Sequence, residues 1–187
     1  DIHPGNLDYC LRAIRQMLDH GHTILIVTKP RFSCIRTICD ELAGQKDRIT
    51  LRFTITAAYD YFRELWEPKA ASVSERMAAL EFAFTSQFKT SISCEPMLHL
   101  SVGDLVPMVR PYVTDSIWLG LMNNISSRLR MNGAPEHMIR TAESVRNDLV
   151  QFVLPELVEK YRNDPIIRWK DSVREALDMA AEEKTGE

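Results

Sequence analysis

Glycine is scarce in this chain, and so are the motifs that depend on it. Seven glycines occur among 187 residues, and no two of them stand in G-x-G order. The phosphate-binding P-loop and the Gly-rich dinucleotide fingerprint both need closely spaced glycines, because the backbone must approach the phosphates closely. The sequence therefore excludes both nucleotide-binding motifs in their usual form.

Cysteine and histidine are also few. The four cysteines include no C-x-x-C pair, and the five histidines are scattered without the spacing of a zinc site. A reduced, cytoplasmic setting is therefore expected. Cys34 and Cys39 lie five residues apart on one predicted helix, where they do not share a face. We predict that both are buried or half-buried thiols rather than metal ligands.

The chain has neither a strong charge bias nor a long apolar run. Its net charge of -3 gives no general argument for nucleic acid or a membrane surface, and no basic stripe interleaved with aromatic residues supports a nucleic-acid partner. No apolar run approaches the ~20 residues of a membrane span, and no signal-peptide pattern is seen. At 45% hydrophobic residues, the chain can form one well-packed domain.

Apolar and amphipathic segments alternate along the first two thirds of the chain. Such alternation predicts a parallel sheet with right-handed crossovers. Four strands cannot close an eight-stranded barrel, so we expect an α/β fold over residues 1–123 that is part of a parallel (β/α) barrel or an open sheet. The strands are predicted at residues 23–27, 49–56, 89–95 and within 114–123, and the helices at 7–20, 32–43, 57–65, 72–86 and 103–112.

Residues 124–187 are predicted to form a helical extension packed on the barrel. A polar loop is expected at 124–133, followed by the longest helix at 136–161, which Pro155 should bend. Residues 165–179 hold a short strand or turn and a last amphipathic helix, and residues 182–187 are expected to fray.

The third predicted strand, residues 89–95, has two unlike faces. Alternate side chains of a strand point to opposite sides, so Ser91, Ser93 and Glu95 share one face. A strand covered by helices on both sides should be mostly apolar. The second strand also has a polar face, formed by Thr50, Arg52, Thr54 and Thr56. The two strands therefore predict a shared polar interior that holds a ligand, with two solvated edge strands as the alternative.

Polar side chains also collect at the predicted strand ends, where parallel α/β proteins bind their ligands. Lys29 offers a cation for a carboxylate or phosphate, and Glu95 offers a hydrogen-bond acceptor or a proton-transfer group. Buried Arg52 needs an acidic partner, and Glu95 is the predicted one. The alternatives to a ligand-binding role are that Lys29 is solvated in a loop and that Glu95 forms only a structural salt bridge with Arg52. The residues grouped at the strand ends are Asp1, Thr28, Lys29, Thr54, Thr56, Ser93, Glu95 and Asn123.

Four strings carry a family resemblance, which covers roughly residues 1–123. They read ILIVTKP at 24–30, LRFTI at 51–55, WEP at 66–68 and TSISCEPML at 90–98. In this order and spacing they resemble the radical S-adenosylmethionine enzymes, and most closely the branch labelled DNA repair photolyase or spore photoproduct lyase-like.

The resemblance implies a partial, six-stranded parallel barrel and a lyase-like enzyme. It implies a 4Fe-4S cluster that cleaves S-adenosylmethionine to a radical, with a reductant such as flavodoxin or ferredoxin as partner. Asp1 resembles the acidic contact to the methionyl amine, and Lys29 the contact to the carboxylate. Thr54 and Ser93 resemble ribose or methionine neighbours, and Glu95 is expected to face the substrate or cofactor.

The cluster motif of that family, C-x3-C-x2-C, does not occur in these residues. The chain is therefore expected to be the C-terminal part of a longer one and to bind no cluster itself. Two alternatives stay open. One is a non-catalytic α/β domain that binds a small ligand or a partner, and the other is a barrel hydrolase or isomerase with Glu95 as base.

Overall fold

The computed structural model describes residues 1–177, which form an α/β fold around one five-stranded parallel sheet. The strands are β1 (Ile24–Thr28), β2 (Ile49–Thr54), β3 (Lys89–Cys94), β4 (Ile117–Leu119) and β5 (Ile167–Trp169). The helices are α1 (Leu7–Asp19), α2 (Phe32–Glu41), α3 (Asp60–Trp66), α4 (Val73–Thr85), α5 (Val102–Val109), α6 (Ile125–Met131), α7 (Glu136–Asp148), α8 (Leu154–Lys160) and α9 (Asp171–Ala176).

The strands follow one another across the sheet in the order of the sequence, and every neighbouring pair is parallel. Parallel crossovers are right-handed, so adding each strand at the same edge places the connecting helices on one face of the sheet. This arrangement confirms the predicted α/β class and is compatible with part of a (β/α) barrel.

The register aligns the side chains of each face in rows. One row crosses all five strands through Thr28, Phe53, Ile92, Ile117 and Ile167, and all five side chains are buried. This face packs against the helices and forms the hydrophobic core. Because side chains alternate along a strand, the neighbouring residues must project from the opposite face.

The opposite face of the sheet is polar and partly open. Its longest row runs through Thr54, Ser93, Trp118 and Arg168, and a second row aligns Val27, Arg52 and Ser91. Val27 is 54% exposed and Leu25 is 48% exposed, so the apolar side chains of β1 are uncovered on this side. The polar side chains of β2 and β3 therefore share one face of the sheet, as their alternation predicted.

Local sequence signals set several helix boundaries. Ser72 caps α4: its hydroxyl accepts a hydrogen bond from the Glu75 N–H at 3.1 Å, and the helix begins immediately after Ser72. The Glu75 carboxylate does not complete a capping box, because it accepts the Phe32 N–H at 3.0 Å instead. Cys34 and Cys39 are buried in α2, as predicted.

After β4, one prediction is wrong and one open alternative is decided. The loop expected at 124–133 contains α6, which the polar, arginine-rich sequence concealed and which Asn124 introduces with a left-handed φ of 52°. The short strand or turn at 166–169 is a strand, β5, because it finds hydrogen-bonding partners along β4. The sheet thus has five strands, rather than the four assigned from sequence.

The helix predicted at 136–161 consists of α7, a wider helical turn at Leu149–Val153, and α8. Proline lacks an N–H, so Pro155 leaves the Gln151 carbonyl without its usual donor, and the wider turn lies immediately before it. The predicted fraying at 182–187 and the end of the last predicted helix lie outside the described residues. Within residues 1–177, no helix combines the length and apolar character needed to cross a bilayer.

Candidate functional site

The C-terminal ends of the strands, here called the strand-end edge, hold the residues singled out from sequence. Thr28 ends β1 and Lys29 follows it, Thr54 ends β2, Glu95 follows β3, and Asn123 follows β4. Because neighbouring strands are parallel and consecutive, these residues lie along the same edge of the sheet. They form two separate groups, one around Lys29 and one around Glu95.

The first group is an ionic network centred on Glu67. The carboxylate of Glu67 accepts Lys29 Nζ at 2.7 Å, a guanidinium nitrogen of Arg76 at 2.8 Å, and the Thr56 hydroxyl at 3.1 Å. The Glu67 side chain is only 10% exposed, whereas that of Lys29 is 35% exposed. Glu67 therefore holds Lys29 at the strand-end edge, and part of the Lys29 side chain remains open to solvent.

Arg76 is the buried cation of this network. Its side chain is 1% exposed, and each of its donor groups has an acceptor. Nε donates to the Ala71 carbonyl and one terminal nitrogen donates to the Thr54 carbonyl, both at 3.0 Å, while the other terminal nitrogen reaches Glu67. Arg76 thus ties α4 to the end of β2 and fixes the carboxylate that holds Lys29.

The pKa of Glu67 reflects these contacts. Burial acts to raise the pKa, because the charged form loses hydration. Hydrogen bonds and charges from Lys29 and Arg76 act against burial and prevail, so the pKa of Glu67 lies below its usual value. Glu67 is therefore ionised at neutral pH, and the network of two cations and one carboxylate carries a net charge of +1.

Asp1 adds a carboxylate beside Lys29. Its Oδ1 accepts the Lys29 backbone N–H at 3.0 Å, and the Thr28 hydroxyl accepts the Ile2 N–H at 3.0 Å. These two bonds dock the first residues against the end of β1. Asp1, Thr28 and Lys29 are thus brought together, as the sequence predicted, although Thr28 uses its hydroxyl for docking the chain.

The predicted Arg52–Glu95 salt bridge is wrong. Arg52 donates from Nε to the Ser91 hydroxyl at 2.9 Å and lies 3.9 Å from Asp115, with its guanidinium over the Trp118 ring at 5.2 Å. Asp115 stands just before β4, at the other end of the strands from Glu95. Arg52 projects toward that end, so it is a neighbour of Ser91 and Asp115 rather than of the strand-end residues.

Glu95 instead pairs with Lys170, which follows β5. Lys170 Nζ lies 3.1 Å from the Glu95 carboxylate and 5.0 Å from the centre of the Trp118 ring. Gly120 lies beneath this pair, and a Cβ added there would stand 3.0 Å from Glu95 Cγ and 3.1 Å from Lys170 Cγ. The absence of a side chain at Gly120 therefore allows the two side chains to meet over the end of β4.

A pocket of about 300 Å³, here called the Glu95 pocket, opens beside this pair. Its polar lining comes from Glu95, Asn123 and Arg128. Its apolar lining comes from Pro96, Leu121, Met122 and Ile125. Glu95 and Asn123 were predicted as site residues from the sequence. Arg128, which lines the same pocket, was predicted to lie in a loop. A larger, more polar cleft of about 680 Å³ adjoins it and shares Met122, Asn123 and Ile125.

The cysteines do not provide the ligands of an iron–sulfur cluster. Cys94 is fully buried, and burial raises the pKa of its thiol, with the charge of Glu67 acting in the same direction. Across residues 1–177, no group of three or more His, Cys, Asp or Glu side chains is arranged to hold a metal ion. The chain described here therefore does not fit the cluster that the family resemblance implies, and Cys94 lies in the core rather than at an open site.

Sequence reasoning missed Glu67, Arg76, Arg128 and Lys170. Glu67 stands in the WEP string but was given no role, because nothing in the sequence shows that its loop returns to the end of β1. Lys170 could have been found as the first residue after a strand, had β5 been assigned with certainty. Arg76 looks like an ordinary surface residue of an amphipathic helix, and only its packing reveals its burial.

Comparison with known proteins found no family model, curated protein or solved structure that matches this chain. Its function must therefore be inferred from the strand-end edge itself.

Proposed function

We propose that this chain is the C-terminal part of a radical S-adenosylmethionine enzyme and that its strand-end edge binds S-adenosylmethionine. The observation that carries the proposal is the placement of two opposite charges at the end of β1, the Asp1 carboxylate and the Lys29 ammonium. A methionyl group is a zwitterion, so its amine and carboxylate match this pair. The parallel sheet would be part of the partial barrel that such enzymes share.

The electrostatics of the Lys29 network favour an anionic group. Lys29 and Arg76 contribute two positive charges, and Glu67 and Asp1 contribute two negative ones. Once the methionyl amine pairs with Asp1, one positive charge remains for the methionyl carboxylate. Thr54 and Ser93 are neighbours in the sheet register and supply hydroxyls beside this network for a ribose. Glu95 remains the proposed proton-transfer group, and Lys170 would hold its carboxylate in place.

The 4Fe-4S cluster is assigned to residues other than these 187, because the cysteines present do not fit it. When bound, that cluster would supply the electron for cleaving S-adenosylmethionine. The residues of this chain would bind and orient the nucleoside and the substrate. A reductant such as flavodoxin or ferredoxin completes the proposal.

The test uses the natural polypeptide that contains these residues, purified without oxygen. We expect about four iron atoms per chain, and S-adenosylmethionine binding that Lys29→Ala weakens about tenfold or more by calorimetry. Lys46→Ala is the matched control, because Lys46 precedes β2 at the opposite end of the strands and bonds Gln87. A metal-free protein that binds no S-adenosylmethionine would overturn the proposal.

A second candidate, a non-catalytic α/β domain, is favoured by a different observation. Lys29, Arg52 and Glu95 each have an oppositely charged partner within the chain. In the part of the chain that the structure describes, no buried side-chain nitrogen or oxygen lacks a hydrogen bond. Charges that satisfy one another can serve stability and shape alone. If Lys29→Ala lowers the stability of the protein but leaves S-adenosylmethionine binding unchanged, this candidate is favoured.

A further inference from the structure

The Glu95 pocket differs in character from the ionic network at Lys29. Four of its seven lining residues are apolar, and they come from the segments that follow β3 and β4. Its volume of about 300 Å³ stands at the lower end of the ~300–1,000 Å³ range of ligand sites. The pocket therefore suits a small ligand with a hydrocarbon part, rather than a whole nucleoside.

The charge that faces this pocket is positive. Lys170 lies 3.1 Å from Glu95 and neutralises its carboxylate. Arg128 has no acidic partner within residues 1–177, whereas Arg130 on the same helix pairs with Glu136 at 3.4 Å. The uncompensated group at the pocket is therefore the Arg128 guanidinium, a planar donor that binds carboxylates through two parallel hydrogen bonds.

The backbone places Arg128 at the pocket. Asn124 adopts a left-handed φ of 52°, which turns the chain from the end of β4 directly into α6. The Arg128 N–H donates to the Asn124 carbonyl at 3.0 Å, so Arg128 stands one helical turn after that corner. The same segment supplies Asn123, whose amide is a further hydrogen-bonding group.

We propose that the Glu95 pocket binds a small carboxylate with an apolar body, held by Arg128 at its anionic end and by Leu121, Met122 and Ile125 along its hydrocarbon. This inference goes beyond the proposed function and does not depend on it, because it is argued from Arg128 and the apolar lining of the pocket alone. It assigns Arg128 a binding role that the sequence gave no reason to expect.

The test follows backbone amide resonances of the isotope-labelled protein during titration with hexanoate. We expect saturable shifts at Leu121, Met122, Asn123 and Ile125 with an affinity of about millimolar, the scale for so small a ligand. Hexanamide has the same length and no charge, and it should bind about threefold to tenfold more weakly. Hexylammonium should cause no saturable shifts at these residues.

Arg128→Gln keeps a polar, hydrogen-bonding side chain, two atoms shorter than that of arginine, and removes its charge. It should weaken hexanoate binding about threefold to tenfold and leave hexanamide binding unchanged. The matched control is Arg130→Gln, which removes a charge from the same helix two residues away and should change neither affinity by more than about twofold. Both arginines are exposed, and the amide spectra report directly that each variant is folded.

Three results would overturn the proposal: equal binding of hexanoate and hexanamide, preferential binding of hexylammonium, or hexanoate shifts that map to other cations and persist in Arg128→Gln. Because none of these probes contains adenosine, failure here leaves the S-adenosylmethionine test at Lys29 unaffected. Conversely, a metal-free protein that binds no S-adenosylmethionine can still bind hexanoate at Arg128.

Discussion

Replacing Glu67 by Gln tests the ionic network at the strand-end edge. Gln has nearly the same shape, so the substitution removes the charge and leaves the packing of the α3 end intact. Arg76 then keeps a full charge at 1% exposure without an anionic partner, although the Gln oxygen can still accept one of its hydrogen bonds. Lys29 is less affected, because part of its side chain is open to solvent.

The expected cost follows from this geometry. Breaking a buried ion pair by removing one partner costs about 3–5 kcal/mol, and the hydrogen bond that Gln retains reduces this to about 3 kcal/mol. For a chain of this length, such a loss lowers the melting temperature by about 6–12 °C. The matched control is Glu64→Gln, in α3 three residues before Glu67. The Glu64 side chain is 66% exposed, and its partner Arg63 keeps a second carboxylate, that of Asp60, when Glu64 is replaced. That variant should change stability by less than about 1 kcal/mol.

The dependence on pH provides an independent check. The pKa of Glu67 is lower in the folded protein than in the unfolded chain, so its stabilising contribution is fully present above the unfolded value of about 4.3. The contribution is lost as pH falls through the folded pKa, because the carboxylate is then protonated in both states. The stability difference between wild type and Glu67→Gln should therefore be constant near pH 7 and shrink below about pH 5.

The assay is urea denaturation at several pH values, followed by circular dichroism and by tryptophan fluorescence to check that the two transitions coincide. If Glu67→Gln is as stable as Glu64→Gln, or if the difference does not depend on pH, the network does not stabilise the fold in the way described.

Two further predictions concern Gly120 and the thiols. Gly120→Ala should push apart the Glu95 and Lys170 side chains and lower stability by about 1 kcal/mol in thermal denaturation. The control is Gly44→Ala, which should change stability by less than about 0.5 kcal/mol, because a Cβ added there meets no atom within 4 Å. Equal melting temperatures for the two variants would contradict the close approach at Gly120. Alkylation of the folded protein at pH 8, read by mass spectrometry, should modify the half-buried Cys10 first, and rapid labelling elsewhere would contradict the burial described. The other three thiols, Cys34, Cys39 and Cys94, are protected by burial. Burial also raises their pKa values, to about 12 for Cys39.

Individual elements show where sequence reasoning succeeded and where it failed. The strand at 49–56 was predictable because Ile49, Leu51 and Phe53 alternate with polar residues, and all three are buried as the alternation requires. The start of α4 was predictable from Ser72, because an N-cap serine is a local signal. The helix α6 was missed because it is short and its sequence is polar and rich in arginine. The strand β5 was left open because it has three residues and pairs with β4, which is distant in sequence.

The candidate site divides in the same way. Lys29, Thr54, Ser93 and Glu95 were placed on one edge from sequence, because parallel strands bring their C-terminal ends together. Their partners were not predictable, because the choice of ionic partner depends on distances between segments far apart in the chain. The sequence offered Glu95 for Arg52, whereas the fold pairs Arg52 with Asp115 and Glu95 with Lys170, 75 residues later.

By itself, the sequence of this chain determined the alternation of strands and helices, the parallel sheet that follows from it, and the edge where polar side chains collect. These properties depend on periodicity and on local caps, which neighbouring residues fix together. Only the tertiary structure decided that Glu67 and Arg76 hold Lys29, and that Arg128 faces a pocket beside Glu95. The reason is that each of these contacts joins elements separated in sequence. Its strength depends on the burial of the side chains and on the distance between them, and neither can be read from one segment of the sequence.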